Sequence, residues 1–160
     1  MMRELADNIL DIAQNSIAAG ASLVEIDISV SRAQDTVSLA FIDDGCGMSE
    51  DMVKAVCDPF TTTRTTRKVG LGIPLFKQVA EMCGGKLTLQ STVGKGTMTQ
   101  ATFIASHMDL PPMGDLKGTL ETLIIANPER PDFCLIYRVD EEEFVFDTAV
   151  IREAVGGLPL

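Results

Sequence analysis

Apolar residues recur at helical spacing near the start of the chain: Leu5, Ile9, Leu10, Ile12, Ala13 and Ile17. This spacing predicts an amphipathic helix over residues 3–18, with Gly20 as its C-terminal stop. Asp11 and Asn15 lie four residues apart and so project from one face of that helix. Residues 22–30 then alternate apolar and polar, the pattern of a half-buried strand. After a polar turn at 31–35, Thr36–Ile42 reads as a second strand, which delivers Asp43 to its end before a glycine turn. Ser49 is placed to cap a short helix over 50–56, with Glu50 and Asp51 in its first turn. Residues 58–70 show no periodicity and read as a mobile loop. A helix follows from Gly72 to Met82, with Pro74 in its first turn, where a missing N–H is harmless, and Gly84-Gly85 ends it. Lys86–Thr92 and Met98–Ala105 form a hairpin around Val93-Gly-Lys-Gly.

Asp109-Leu-Pro-Pro-Met breaks this rhythm. A compact unit is therefore expected over residues 1–108, and residues 109–160 are expected to form an extension. In the extension the pattern predicts a helix at 115–126, strands at 133–139 and 143–147, and a final helix at 148–155 capped by Asp147 or Thr148. The acidic run Asp140–Glu143 reads as a solvated turn in preference to a metal site. No internal repeat is present. Intermixed helices and strands make this an α/β chain.

Composition narrows the partners. Hydrophobic residues are 46% of the 160, enough for a packed core. Lys and Arg total 13 against 23 Asp and Glu, a formal charge of −10. Such a surface repels nucleic acid and anionic membrane. Positive charge is nonetheless concentrated locally. Pro59 to Ala80 holds Arg64, Arg67, Lys68 and Lys77 and no acid, so an anionic ligand there is compatible with the overall balance. Cys46, Cys57, Cys83 and Cys134 make no Cys-x-x-Cys pair, and there is neither a secretory leader nor an apolar run long enough to span a bilayer. Reduced thiols and a cytoplasmic location are the expectation. His107 is the single histidine, which argues against a His-rich metal site.

Four segments carry candidate chemistry: Asp11-Ile-Ala-Gln-Asn15, Asp43-Asp-Gly-Cys-Gly47, Gly70-Leu-Gly72 and Gly94-Lys-Gly-Thr97. The Asn15 side-chain oxygen is a hard neutral ligand suited to Mg²⁺, or else it belongs to a solvated helix face. Asp11, one turn earlier, could orient and deprotonate a water, or it is a surface acid. The Asp43 carboxylate can accept the exocyclic N–H of adenine, and Gly45 and Gly47 let the backbone turn closely around a base, with Met48 next in line. The other reading of this segment is an ordinary Asp- and Gly-rich turn. Asp44, beside it, is expected to be solvated. Gly70, Leu71 and Gly72 open a helix whose free N–H groups suit phosphate. Arg64, Arg67 and Lys68 precede them as a clamp or lid, or as a solvated basic loop. The Thr97 hydroxyl could hydrogen-bond near the adenine, or 94–97 is only a hairpin turn. No Gly-x-x-x-x-Gly-Lys-[Ser/Thr] occurs.

In this order the four segments resemble the motifs of the GHKL ATPases, the Bergerat-fold superfamily. Asp11 to Asn15 is similar to its N-box, Asp43 to Gly47 to its Asp-x-Gly-x-Gly box, and Gly70 to Gly72 and Gly94 to Thr97 to its later glycine boxes. Pro59-Phe60-Thr-Thr-Thr resembles the phenylalanine motif of histidine kinases. Gln14 to Ser22 looks most like MutL-type proteins, and residues 70–105 look most like histidine kinases. The resemblance covers residues 3–105. It implies a two-layer α/β sandwich, an α+β arrangement with helices on one face of a mixed sheet. It also implies ATP and Mg²⁺ as cofactors, with Asn15 as the metal ligand, Asp43 as adenine selector and Asp11 where a Glu general base stands in hydrolysing members and serine kinases. Lys68 replaces the first glycine of the second box, and Ala18 replaces a charged residue often found after the N-box.

The resemblance implies two classes of activity. One is a histidine-kinase-like ATPase or protein kinase acting on a regulatory protein partner, as anti-sigma serine kinases do. The other is a nucleotide-dependent binding module with little turnover. A third reading is the split catalytic domain of a two-component histidine kinase. A phospho-acceptor hairpin has no room before the N-box here, and His107 lies after the last pocket strand, so no autophosphorylation on His within the chain is expected. A homodimer is suggested by analogy with the anti-sigma kinases alone.

Overall fold

The structure, a computed structural model, describes residues 4–58 and 72–156. Their chain order is α1 (Leu5–Ala18), β1 (Leu23–Ser31), β2 (Thr36–Asp43), α2 (Glu50–Cys57), α3 (Gly72–Met82), β3 (Lys86–Thr92), β4 (Gly96–Ile104), α4 (Leu116–Ala126), β5 (Asp132–Val139), β6 (Glu142–Asp147) and α5 (Thr148–Ala154). The predicted elements all appear, within two residues at each end. Local chemistry explains the ends. Gly20, at φ +75°, follows the last turn of α1, where a left-handed residue lets the chain leave a helix. Ser49 Oγ accepts from Met52 N at 3.2 Å and so caps α2. Asp147 caps α5 by accepting from Ala149 N at 2.9 Å.

One mixed sheet runs β3-β4-β2-β1-β5-β6. Four of its pairings are antiparallel, and β5 lies parallel to β1. The alternation along β1 buries Val24, Ile26 and Ile28 on one face and leaves Glu25 and Asp27 on the other. Val37, Leu39 and Phe41 of β2, Ala101 and Phe103 of β4, and Phe133 and Leu135 of β5 extend the same apolar face. Helices cover it, with Ile9, Ile12 and Ala13 of α1 and Ile73, Phe76 and Ala80 of α3 in the core. Phe76 meets Phe41 edge-on at 6.0 Å and Phe103 at 5.9 Å, geometry that favours aromatic pairs. The result is the α+β sandwich with helices on one face that the sequence predicts.

Residues 109–156 continue this architecture. The parallel pairing of β5 with β1 runs from Leu23 opposite Asp132 to Val30 opposite Val139. The buried Leu123 of α4 joins the common core. None of the described helices is long and apolar enough to cross a membrane.

Candidate functional site

The end of β2 is the focus. Asp43, its last residue, is held on both carboxylate oxygens. Ser16 Oγ of α1 donates to Oδ2 at 2.6 Å, and Gly45 N donates to Oδ1 at 2.9 Å. The side chain is therefore aimed before any ligand arrives, and hydrogen bonds to an ionised carboxylate are among the stronger ones. Ser16 is itself buried, in the apolar stripe with Ile9, Ile12 and Ala13. Across the sheet Asp43 pairs with Val24 of β1 and Thr97 of β4.

The turn after Asp43 packs on the β3–β4 hairpin through glycine. Gly47 has φ +71°, and a Cβ there would run into the Thr92 carbonyl. Gly96 has φ +128°, and its Cβ would strike the Asp43 carbonyl. Each contact is one that only a residue without a side chain allows. The two turns are then stitched by Gly94 N donating to the Cys46 carbonyl at 2.7 Å, and Cys46 N donating to the Ala19 carbonyl at 2.9 Å ties the first of them to the end of α1. Ser91 is the hub of this corner. Its hydroxyl accepts from Met48 N at 2.8 Å, donates to the Gly96 carbonyl at 3.0 Å and lies 2.8 Å from Thr97 Oγ1.

On the other side of Asp43, the start of α3 meets the polar face of α1. A Cβ built on Gly72 would sit 3.4 Å from Asp11 Cβ and 3.9 Å from Asn15 Nδ2. Asn15 Nδ2 is buried and lacks a hydrogen-bond partner among the described residues. An unsatisfied buried amide is costly, and this one, as an N–H donor, would be satisfied by an acceptor such as a phosphate oxygen. Asn15 offers a hard oxygen donor and Asp11 a carboxylate one turn away. Such a donor set fits a magnesium ion that keeps most of its ligands as phosphate and water. No group of three or more Asp, Glu, His or Cys among the described residues could hold a metal unaided.

The predicted residues Asp11, Asn15, Asp43, Gly45, Gly47, Met48, Gly72 and Thr97 thus gather at one end of the sheet. Arg64, Arg67, Lys68, Gly70 and Leu71 lie outside the described residues, as does Phe60. Asp44 is solvated as expected, but it is not idle. It is exposed, yet its carboxylate accepts from Ser22 N at 2.7 Å, from the Ser22 hydroxyl and from Leu23 N at 3.0 Å. The Ser22 hydroxyl foremost, with the Leu23 N–H, holds its carboxyl below the usual carboxylate range. Ser16 and Ser91 join this corner without a motif that announces them. A serine inside the apolar stripe of α1 was the available signal for Ser16. Ser91 gave none, because its role depends on facing Thr97 across β3 and β4. All four cysteines are free, and burial pushes the thiols of Cys57, Cys83 and Cys134 up.

Comparison with known proteins places the chain in a family and a fold. The family described as "Histidine kinase-, DNA gyrase B-, and HSP90-like ATPase" matches residues 1–107. A putative sensor protein of Shewanella frigidimarina is 29% identical over 109 residues, covering 68% of this chain and 16% of that protein. Sporulation kinase E of Bacillus subtilis is 31% identical over 101 residues, covering 62% of this chain and 14% of the kinase. The chain thus matches only a small part of each of these relatives. Among solved structures, the Aquifex aeolicus MutL ATPase domain complexed with ADP superposes with a TM-score of 0.55 at 16% identity, over 95% of this chain and 67% of that one. At that identity the likeness is one of fold.

Proposed function

Since this chain belongs to the histidine kinase-, DNA gyrase B- and HSP90-like ATPase family, we propose that the corner around Asp43 binds ATP with Mg²⁺ and that the protein transfers or hydrolyses the terminal phosphoryl group in the service of a partner. One observation carries the reading: a carboxylate at the end of β2, fixed by Ser16 and Gly45, faces the same end of the sheet as the Asp11–Asn15 face of α1. Asp43 would accept the adenine amino group, and Ser91 and Thr97 would wall the same end. Asn15 would hold the metal, which supplies charge neutralisation to the phosphates. Asp11 would orient and deprotonate the attacking water or hydroxyl. Gly45, Gly47, Met48 and Gly72 would shape the cleft, and Arg64, Lys68, Gly70 and Leu71 would close on the phosphates.

Within this reading residues 1–108 form the nucleotide unit and residues 109–160 carry regulatory contacts. The partner is a protein, as for anti-sigma serine kinases. The sensor and sporulation kinases among the relatives favour a second acceptor, a histidine supplied by another chain. Mixing with His-bearing chains and labelled ATP distinguishes the two, since label on histidine supports only the second.

The test of the binding reading is calorimetric titration with ADP and a non-hydrolysable ATP analogue, with and without Mg²⁺, on wild type and Asp43→Asn. Binding by wild type that the variant loses supports it. Wild type that binds neither nucleotide refutes it. An Asp11→Asn protein that still binds but no longer hydrolyses or transfers phosphate would support a catalytic role. Unchanged biological output from the same variant would instead favour a module that signals by nucleotide state alone.

A further inference from the structure

The helical layer stops short of the sheet. In it α1 lies between α3 and α4, and no described helix packs extensively on β6, beyond α4. On the covered face of the sheet, Leu135 pairs with Phe146 and Tyr137 with Phe144. Together with Leu116 and Leu120 of α4 these side chains line an almost wholly apolar groove of about 360 Å³. Phe144 is 59% exposed, and with its neighbours it forms a contiguous apolar patch rather than a single exposed ring.

The rim of the groove is charged. Glu121 stands on the α4 side, where it pairs with Lys117 at 3.6 Å. Glu142 shares the strand face of Phe144 and Phe146 and is exposed. It begins β6 directly after the acidic turn at Asp140 and Glu141. Asp140 and Glu143 are engaged by Arg32 and Arg138, but Glu141 and Glu142 have no ion pair among the described residues. An apolar floor with uncompensated acids along its β6 side, opposite the Lys117–Glu121 pair on α4, matches an amphipathic helix with basic residues on the β6-facing edge of its apolar stripe. The groove holds a few apolar side chains, the number such a helix presents over about two turns.

We propose that the groove between α4 and β6 is a docking site for a basic amphipathic helix of a partner protein, which completes the helical layer over β6. The probes are three short peptides: leucines at i, i+3, i+4 and i+7 flanked by lysines, the same peptide with glutamates for lysines, and a scramble of the first. Binding is followed by amide chemical shifts on the full chain. Saturable binding of the lysine peptide alone, with shifts centred on α4 and β6, is expected. Phe144→Asp should weaken it about tenfold, a loss of about 1.4 kcal/mol. General charge attraction predicts the reverse, because that variant is more acidic. Glu142→Lys, at an exposed position, should weaken the lysine peptide and strengthen the glutamate peptide, which keeps the test valid if Phe144→Asp fails to fold. No binding of the lysine peptide, equal binding of the scramble, or indifference to both variants overturns the proposal. So does self-association by sedimentation that Phe144→Asp abolishes, since a second copy would then be the occupant.

Discussion

Replacing Ser16 by Ala removes one oxygen and, with it, the 2.6 Å bond to Asp43 Oδ2. A hydrogen bond to an ionised group contributes about 1.5–3 kcal/mol. Asp43 is only half-buried and retains the Gly45 N–H, so water can replace part of the loss and about 1.5 kcal/mol is expected. For a chain of this size that lowers Tm by about 3–6 °C. Asp43→Asn keeps the shape but turns one acceptor into a donor, leaving two protein donors to share a single oxygen. The two substitutions act on one bond, so their costs should not add. A double-mutant cycle in urea should show coupling of about 1–2 kcal/mol, within the range for residues in direct contact. If the fixed carboxylate is what selects adenine, Ser16→Ala should also weaken ADP binding about tenfold by calorimetry, equivalent to about 1.4 kcal/mol. Additivity within about 0.3 kcal/mol, at unchanged m, would refute the view that Ser16 holds Asp43 in place.

Gly47→Ala must both accept a left-handed φ and displace the Thr92 carbonyl; a loss of about 2 kcal/mol or more in urea unfolding is expected, on the scale of a strained residue plus local repacking. Gly72→Ala meets only ordinary contact with Asp11, so helix propensity should leave it neutral or more stable by up to about 1 kcal/mol, while crowding of the Asp11–Asn15 face weakens nucleotide binding in calorimetry. The pH dependence has opposite signs at Glu25 of β1 and at Asp44, just past the end of β2. Burial, with the charge of Asp27, raises Glu25 above its usual value of 4.5. Its contribution is therefore present at low pH and lost as pH rises through the folded value. Glu25→Gln should raise Tm at pH 7 and lose that advantage near pH 4. Asp44 is held below 3.8, so its contribution is present above 3.8 and disappears as pH falls through its lower folded value. Asp44→Asn should accordingly be destabilising at pH 7 and indistinguishable from wild type in strong acid, as thermal melts across pH will check.

The sequence patterns that were legible are the local ones. Alternation through Val24, Ile26 and Ile28 identified β1 and its buried face, and the stripe Ile9, Ile12, Ala13 oriented α1 so that Asp11 and Asn15 had to share a side. Asp43 is legible at the end of β2 from the alternation before it and the glycine turn after it; an ordinary Asp- and Gly-rich turn reads the same way, and only the resemblance of the four segments to the family's boxes singles it out. The roles of Ser16, Ser91 and Asp44 were hidden for a common reason. Each depends on a contact between segments distant in sequence, fixed by strand register or by helix packing rather than by neighbouring residues. The same holds for β5. A parallel partner for β1 arriving after a crossover through α4 leaves no trace in the alternation of residues 133–139.

That parallel partner changes what the chain can lose. β1 is an interior strand only because β5 lies against it from Leu23 to Val30. A fragment trimmed after residue 108 would turn β1 into a border strand, long, regular and rich in Val and Ile, with the amides and carbonyls of every second residue unmatched along that eight-residue span. Borders of that kind recruit other chains edge to edge. The trimmed fragment, although it retains the entire Asp43 corner, is expected to aggregate where the full chain stays dispersed. Residues 109–156 thus serve as the sheet's own shield against self-templating, apart from anything they bind.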